Sequence, residues 1–541
     1  MRFLQTLLAL PVLLRSLLGL VAIVALQAGD AAALLPRLAA DDQKERAAVL
    51  RELALTGDQR LLLFLDDYRQ GSGYLLDGKV VLVPTLRAGS GVPLDPLTRV
   101  ALGPAVTEKS LLELPKTRKD MAAAQAAANL LRLADPHPET RLAAVIRAGD
   151  HANPADREAL APIASKDPDS RIRRAAAEGV AIIDLKADDE ATRLAACATL
   201  GGLGSARARE QLDERAAKDP VAAVRAAATA ARSQVQTYQA TVRGAQTLFS
   251  GLSLGSILVV MALGLAITFG LMGVINMAHG EMLMIGAYAT LMVQWFFHWA
   301  LPPSLLPWYF VISLPVGFLA AAAIGWLLEL TVIRHLYGRP LETLLATIGI
   351  GQVMIWAIRR SFGDSQAVVA PAWLTGGWEP MPDLVLPWNR IFIITVTVLS
   401  VVAVWFLMNR TRLGLLLRAT VQSRRTAASL GVDTRRIDGL TFALGSGLAG
   451  AAGCALTLIG GLKPDMGQEY IIDSFLVVAA GGVGNLWGVV WTGLSLGVLN
   501  KFLEPWTQAV FAKVIMLAIV VLFLQWKPSG LFPPKGRLAD G

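Results

Sequence analysis

Three polar side chains stand close together in an otherwise apolar run, namely Asn276, His279 and Glu281 in the segment INMAHGE. Residues 244–280 contain no Lys, Arg, Asp or Glu. An amide, an imidazole and a carboxylate can donate and accept hydrogen bonds to a small polar solute, and such residues inside a membrane normally face a cavity or pathway. We therefore predict that these three residues and Gly280 line a solute route. The alternative is a structural helix–helix junction in which neighbouring helices satisfy the polar groups.

The sequence argues against metal and nucleotide chemistry in this chain. The motif H-E-x-x-H is absent, the chain has five His, and its two cysteines do not form a cluster, so we predict no metal site and no intramembrane enzyme. Residues 73–79 have the G-x-x-x-x-G-K spacing of a P-loop, but Val80 follows where Ser or Thr would bind magnesium. We read this segment as a turn, so any ATP would be hydrolysed by another chain.

Composition divides the 541 residues into two parts, although 54% of the whole chain is hydrophobic. Residues 1–245 hold 32 Lys and Arg and 29 Asp and Glu, whereas residues 246–541 hold only 18 and 13. This contrast predicts a soluble domain followed by a membrane domain. Neither part has the basic excess of a nucleic-acid-binding protein, so no nucleic-acid partner is expected.

The first part is predicted to be an exported domain of helical repeats. Residues 1–28 have the basic start, apolar stretch and small residues of a secretory signal peptide, although Arg15 interrupts the apolar stretch and an uncleaved anchor is the alternative. Within residues 29–240, segments beginning at Asp135, Asp167, Asp188 and Asp219 each place an Arg and small apolar residues after a helix-capping Asp. The repeated arginines are taken to be Arg141, Arg174, Arg193 and Arg225, and the segment from Asp41 looks like an isolated earlier copy. Such units of roughly 30 residues indicate HEAT-like repeats, against a generic helical bundle as the alternative. A small β-hairpin insert is predicted to turn on Asp77-Gly78.

The second part is predicted to be a polytopic α-helical membrane domain over residues 246–533. Candidate spans run over 248–271, 281–299, 308–332, 341–358, 389–408, 437–460, a glycine-rich pair within 471–502, and 508–526. The fold class is therefore all-α, with about eight or nine spans that include broken or re-entrant segments. Twelve Lys and Arg fall in the segments that alternation places inside and five fall outside, which predicts an external N-terminal domain and a cytoplasmic C-terminus.

Three further segments are candidates for function. The sequence GGVGN, with Gly481, Gly482, Gly484 and Asn485, is a second place where a broken span could line the route. Thr347 in ATIGIG is a third, although its hydroxyl could instead bond its own helix backbone. In the inner loop 409–436, Leu417, Val421 and Ala428 fall near one helical face. That loop is either an amphipathic helix on anionic lipid or a short helix that docks on a cytoplasmic partner, with Gly431 as a natural C′ residue.

Four ordered motifs between about residues 246 and 533 carry a family resemblance. The segments GVINMAHGEMLMIGAYAT, TRLGLLLRATVQSRRTAASLGVDTRRI, VVAAGGVGNLWG and KPSGLF resemble those of the permease subunits of branched-chain amino acid-type ABC importers. In the second motif the residues that match the loop contacting the ATPase are Arg418, Ala419, Ala427, Leu430 and Gly431. The N-terminal repeat domain resembles the extension found on members of this family that carry urea.

The resemblance implies a function, a set of partners and a location. It implies a permease subunit that forms the route for urea, with branched-chain amino acids or short amides left open as substrates, and that is not itself an enzyme. The implied partners are a second permease subunit, two ATPase subunits that bind ATP and magnesium, and a periplasmic solute-binding protein, in the lipid of a bacterial inner membrane. The chain itself would bind no cofactor. A membrane receptor or scaffold that presents the repeat domain is the alternative of a different class.

Overall fold

A computed structural model describes residues 31–84 and 90–532 of the protein, so the predicted signal segment 1–28 lies outside the described residues. The described chain is mostly helical. It divides into two compact units, residues 1–240 and 241–541, and the boundary falls inside one long helix, α9 (Ala222–Met272).

The first unit is a succession of short helices with small sheets between the second and third. Its helices are α1 (Gln43–Leu55), α2 (Leu61–Gln70), α3 (Arg118–Arg132), α4 (Pro138–His151), α5 (Arg157–Lys166), α6 (Ser170–Asp184), α7 (Glu190–Leu203) and α8 (Arg209–Lys218), before the start of α9. Its strands are β1 (Gly73–Leu76), β2 (Lys79–Leu82), β3 (Ser90–Gly91), β4 (Val106–Thr107) and β5 (Leu112–Glu113).

The predicted hairpin is confirmed. Strands β1 and β2 pair antiparallel with Leu76 opposite Lys79, and β5 pairs with the other edge of β1. The connecting residues Asp77 and Gly78 have φ values of 48° and 77°, the left-handed pair that a two-residue hairpin turn requires. Because Lys79 begins a strand rather than a helix, the P-loop spacing at residues 73–79 has no helix N-terminus to offer a phosphate.

Five arginines stabilise the loops that precede helices in one repeated way. In each case Nη1 donates hydrogen bonds to the carbonyl oxygens six and five residues earlier in the chain. These are Arg46, Arg141, Arg173, Arg193 and Arg225. The assignment of Arg174 to this set is wrong, because Arg173 stands six residues after Asp167, while Arg174 donates to the carbonyl of Leu203. The segment from Asp41 carries the same motif through Arg46.

Two of these arginines also join neighbouring loops. Nε of Arg141 lies 3.0 Å from the carboxylate of Asp167, and Nε of Arg193 lies 3.1 Å from the carboxylate of Asp219. Each guanidinium thus bonds its own loop and the Asp that starts a later unit. This repetition agrees with a helical-repeat domain, and its specific HEAT-like class stays a prediction.

The second unit continues from α9 with nine further helices in the described residues. They are α10 (His279–Ala300), α11 (Tyr309–Thr331), α12 (Pro340–Phe362), α13 (Trp388–Arg410), α14 (Arg412–Gln422), α15 (Arg424–Ser429), α16 (Thr434–Leu456), α17 (Met466–Gly481) and α18 (Leu486–Trp526). Strands β6 (Gly377–Met381) and β7 (Leu384–Pro387) form a hairpin before α13. Six helices of the described chain are long and apolar enough to cross a membrane, namely α9, α11, α12, α13, α16 and α18. Every predicted span coincides with a helix, while the count of eight or nine spans stays a prediction.

Helix α18 folds back on itself. A straight helix of its 41 residues would be about 60 Å long. The backbone N–H of Leu531, just after this helix, nevertheless donates to the carbonyl of Ala480, just before it, at 2.8 Å. The reversal falls at Gln508, whose φ of 64° and ψ of 159° are not helical. The predicted span 508–526 is therefore the returning arm of a helical hairpin.

Glycines bring the central helices into close contact. A Cβ placed on Gly450 of α16 would lie 2.6 Å from the carbonyl oxygen of Gly317 in α11, and a Cβ on Gly445 would lie 2.7 Å from that of Gly264 in α9. Any side chain at these positions would force the helix backbones apart. Such small-residue packing is typical of membrane helices, where close backbone approach replaces the hydrophobic effect as the source of association.

Candidate functional site

The polar segment lies deep between the helices of the second unit because the chain reverses at Gly273. Helix α9 ends at Met272, Gly273 has a φ of 67°, and residues 273–278 are not helical. Nε2 of His279 lies 3.1 Å from the carbonyl oxygen of Met261, which is eleven residues before the end of α9. The chain therefore runs back about 16 Å alongside α9 before α10 begins. That is about half the thickness of a bilayer core.

Asn276 is fully buried in this returning segment. Neither its Nδ2 nor its Oδ1 has a hydrogen-bond partner among the described residues. Buried amides are almost always hydrogen-bonded, and each unsatisfied group costs about 1–3 kcal/mol. The side chain thus offers one unused donor group and one unused acceptor.

His279 is also fully buried, but it has a structural role as well. Because the Met261 carbonyl can only accept, Nε2 of His279 carries the proton in this bond. In the neutral ring Nδ1 is then an acceptor, and it has no partner among the described residues. The imidazole also packs against Gly264, where an added Cβ would lie 3.0 Å from Cε1. This side chain therefore fixes the start of α10 against α9.

Glu281 and Thr347 lie where α10 meets α12. A Cβ on Gly351 would lie 3.0–3.2 Å from the carboxylate of Glu281, whose Oε2 has no partner in the described chain. One turn earlier, Oγ1 of Thr347 accepts a hydrogen bond from the backbone N–H of Met277 at 3.2 Å and also donates to the carbonyl of Leu344. The hydroxyl thus bonds its own helix, as the alternative interpretation held, and the returning segment as well.

The residues of the polar segment do not all face one channel. Residues two apart on a helix point about 200° away from each other, so His279 faces α9 while Glu281 faces α12. Nδ1 of His279 has no partner in the described chain, so Glu281 does not orient the imidazole ring through a hydrogen bond. Between them, Gly280 packs on α17, where its Cβ would lie 2.6 Å from the carbonyl oxygen of Gly467. The start of α10 is thus both a junction of three helices and a source of unsatisfied polar atoms.

The glycine-rich segment 481–485 forms the turn between α17 and α18. Gly482 and Gly484 have φ values of 100° and 84°, and Oδ1 of Asn485 caps α18 by accepting from two backbone N–H groups. Gly481 packs closely on Gly488, and the carbonyl of Gly481 accepts a hydrogen bond from the N–H of Phe532. The KPSGLF segment therefore packs on this turn. Gly484 in the turn also packs on Gly270, near the end of α9.

The inner loop forms two short helices rather than one. Ser423 has an extended backbone, and its side chain caps α15, so Ala428 does not share a helix with Leu417 and Val421. The expectation of a single amphipathic face over these three residues is wrong, because a Ser between two helical segments offers a cap that interrupts them. Leu417 alone of the three is buried.

The five predicted coupling residues differ in exposure. Arg418 donates to the carbonyl of Met408 at the end of α13, Ala419 is exposed beside it, and Ala427 is buried. Leu430 is 80% exposed. Gly431 has a φ of 85° and, with the next residue, closes α15 by hydrogen bonds from residues 431 and 432 to the carbonyls of residues 428 and 427. That pattern is a Schellman motif, so the predicted C′ role of Gly431 is confirmed.

Arg418 and Gly484 line one cavity of about 280 Å³ near the C-terminal ends of α9 and α13. Ile267, Met408 and Trp487 are among its other lining residues. The sequence had placed Arg418 in the coupling loop and Gly484 in the solute route, and only the fold brings the two segments together. Met261 and Gly351 carry no sequence signal for the site, because their contributions are a backbone carbonyl and the absence of a side chain.

Comparisons with known proteins match the second unit. Residues 247–524 match the family described as branched-chain amino acid transport system, permease component. The chain is 30% identical over 300 residues to the high-affinity branched-chain amino acid transport system permease protein BraD of Pseudomonas aeruginosa, covering 53% of this chain and 94% of that protein. It is 28% identical over 300 residues to LivH of Escherichia coli K12, with the same coverage, and 26% identical over 318 residues to LivM of that organism, covering 53% of this chain and 71% of LivM.

Proposed function

Because the chain belongs to the permease family of branched-chain amino acid transport systems, we propose that its second unit forms the translocation pathway of an ABC importer. Separate ATPase subunits hydrolyse ATP with magnesium, and the inner loop transmits their movement to the membrane helices. A second permease subunit completes the pathway, and an external solute-binding protein delivers the substrate. The chain resides in the bacterial inner membrane.

The observation that carries this proposal is the amide of Asn276. Non-helical backbone at this depth is tolerated where it is buried in protein or lines a water-filled cavity. A fully buried amide with neither atom bonded in the described chain carries a cost that a purely structural segment avoids. A solute that accepts from Nδ2 and donates to Oδ1 removes that cost during passage. Transporters commonly place substrate sites near the midplane where helices are broken.

Branched-chain amino acids are the first substrate candidate. The named relatives are permeases for these solutes. The N-terminus of α10 lies beside the returning segment, and helix N-termini attract carboxylate groups. Glu281 in the first turn of α10 is suited to an ammonium group. Urea is the second candidate, because its neutral amide matches the donor and acceptor of Asn276.

Uptake by the assembled complex tests this function. The chain is purified with its partner subunits and placed in proteoliposomes with ATP and the solute-binding protein. We expect ATP-dependent uptake of labelled leucine that excess valine inhibits and excess urea does not. Uptake of labelled urea but not of labelled leucine would identify urea as the substrate. Failure to co-purify with ATPase subunits would refute the importer and favour a receptor or scaffold.

The first unit is proposed to be an exported, HEAT-like repeat domain on the external face. The distribution of Lys and Arg over the inner and outer loops supports this orientation. A reporter that is active only outside the cytoplasm should be active when fused after Gln246 and inactive when fused at Ser423. The opposite pattern would reverse the topology.

A further inference from the structure

A group of five side chains joins the inner loop to the membrane helices. We call Glu329, Arg334, Tyr337, Arg424 and Asp438 the inner charge cluster. We propose that this cluster fixes helix α15 to the α11–α16 pair and so sets how tightly ATP hydrolysis is coupled to transport. The inference rests on the proposed function and names positioning residues for it.

The two carboxylates of the cluster are buried, whereas their arginine partners reach toward the surface. The side chain of Glu329, near the end of α11, is 1% exposed, and its Oε2 lies 3.1 Å from Nη2 of Arg334. The side chain of Asp438, in the first turns of α16, is 5% exposed and pairs with Nη2 of Arg424. Both arginines are partly exposed. Glu329 thus holds an arginine that follows its own helix, whereas Asp438 holds an arginine from α15.

The two ion pairs lie side by side. A Cβ on Gly439 would lie 3.2 Å from Oε2 of Glu329, so the residue after Asp438 packs directly on the other carboxylate. The guanidinium of Arg424 also lies over the ring of Tyr337, at 4.9 Å from its centroid. Arg424 therefore contacts residues from both sides of the α11–α16 pair. A cation held by a carboxylate and an aromatic face has a defined position.

Helix α15 needs such an anchor because it is very short. It has only six residues, and isolated helices shorter than about 12 residues are marginal in water. Arg424 is its first residue, and Leu430, 80% exposed, follows its last. The cluster thus holds one end of the helix while the other end presents an apolar side chain outward. Without the anchor, the position of Leu430 relative to α11 and α16 is not fixed.

Four variants of the assembled complex test the role of Arg424. They are Arg424→Gln, Asp438→Asn, the double variant with both changes, and Arg425→Gln as a matched control on the same helix. Arg425 is exposed and has no ion pair in the described part of the chain. We expect Arg424→Gln and Asp438→Asn to lower the solute transported per ATP hydrolysed at least fivefold, and Arg425→Gln to leave this ratio unchanged.

The double variant separates positioning from simple folding. It removes the unpaired buried carboxylate, so the yield of assembled complex should return to the wild-type value. The transport-to-hydrolysis ratio should stay low, because the anchor is still missing. Recovery of both yield and ratio would show a merely structural ion pair and overturn the inference. A wild-type complex that neither transports nor hydrolyses ATP would instead refute the proposed function.

A distance measurement tests the same inference without transport. Spin labels at Leu430→Cys and Leu327→Cys, both at exposed positions, report the placement of α15 relative to α11. The two native cysteines are buried. We expect the distance distribution to broaden in Arg424→Gln and to stay unchanged in Arg425→Gln. An unchanged distribution in Arg424→Gln would refute the anchoring role.

Discussion

Replacing Asn276 by Ala should separate transport from stability. In the described structure neither amide atom of Asn276 is bonded, so the substitution removes two unsatisfied buried groups. Each such group costs about 1–3 kcal/mol, and removing both offsets the packing contacts that the shorter side chain loses. The free energy of unfolding should therefore stay equal or rise by about 1 kcal/mol. A hydrogen bond to a passing solute, worth about 1–3 kcal/mol, is lost, so uptake should fall about tenfold to a hundredfold.

Two comparison variants sharpen this prediction. His279→Ala also removes a pathway candidate, but it leaves the Met261 carbonyl without its partner and opens a cavity beside Gly264, so assembled complex should fall together with uptake. Thr290→Ala, in α10 like His279 and equally buried, removes a hydroxyl that donates to the carbonyl of Gly286 in its own helix, and it should leave uptake unchanged.

The assay measures uptake, complex yield and the midpoint of thermal unfolding on the same preparations. Glu281→Gln should reduce uptake of a zwitterionic amino acid, because the ammonium group loses its partner, and should be mild for urea, which has no charge. If Asn276→Ala lowers uptake only in proportion to complex yield, the polar segment is a structural junction. The permease assignment would then rest on the family match alone.

Three further predictions concern other parts of the chain. Gly431→Val should keep membrane insertion but reduce stimulated ATP hydrolysis, whereas Gly431→Asn should have a mild effect. Nothing lies within 4 Å of a Cβ added at this position, so the cost of about 1 kcal/mol comes from the left-handed backbone. Equal effects of the two variants would contradict this reasoning. Gln508→Gly should raise the thermal unfolding midpoint, because a non-glycine residue with the positive φ of Gln508 costs about 1–3 kcal/mol. A lower midpoint would place the helix reversal elsewhere. Burial alone would raise the pKa of Asp120, but hydrogen bonds from Arg46 and Thr117 outweigh it and lower the pKa. The stabilisation is therefore present above the unfolded pKa of about 4 and is lost as pH falls through the lower folded value. The protection factors of the α3 amides, which are corrected for the intrinsic exchange rate, should therefore fall at acid pH in the wild type and depend less on pH in Asp120→Asn.

Local signals in the sequence predicted the turns and caps well. Asp77-Gly78 and Gly431 were assigned from residue type alone, and both have the left-handed backbone that those types favour. The spans were also located, because apolar length is a strong signal. The break at Ser423 was missed, since a capping Ser inside an amphipathic pattern is outweighed by the pattern. Arg173 was mistaken for its neighbour Arg174 because only the carbonyl contacts distinguish them.

The polar segment shows why spacing alone does not define a site. Asn276, His279 and Glu281 are neighbours in sequence, and a common face seemed natural. Helix α10 begins at His279, however, and from there each residue turns about 100° around the axis. His279 and Glu281 therefore pack against different neighbouring helices, while Asn276 lies in the non-helical segment before α10. The direction of each side chain depends on where the helix starts, which the sequence did not specify.

The depth of the segment follows from glycine rather than from the polar residues. Gly273 reverses the chain, and Gly264, Gly280 and Gly445 let the helices approach until the backbone atoms nearly touch. A side chain at any of these positions would widen the junction and let lipid or water reach the polar atoms. The same glycines also leave little room for a solute while the helices are closed. In the proposed importer, solute passage requires the α10 junction to open, and we expect the inner loop, which Arg424 joins to Asp438 of α16, to transmit the force that opens it.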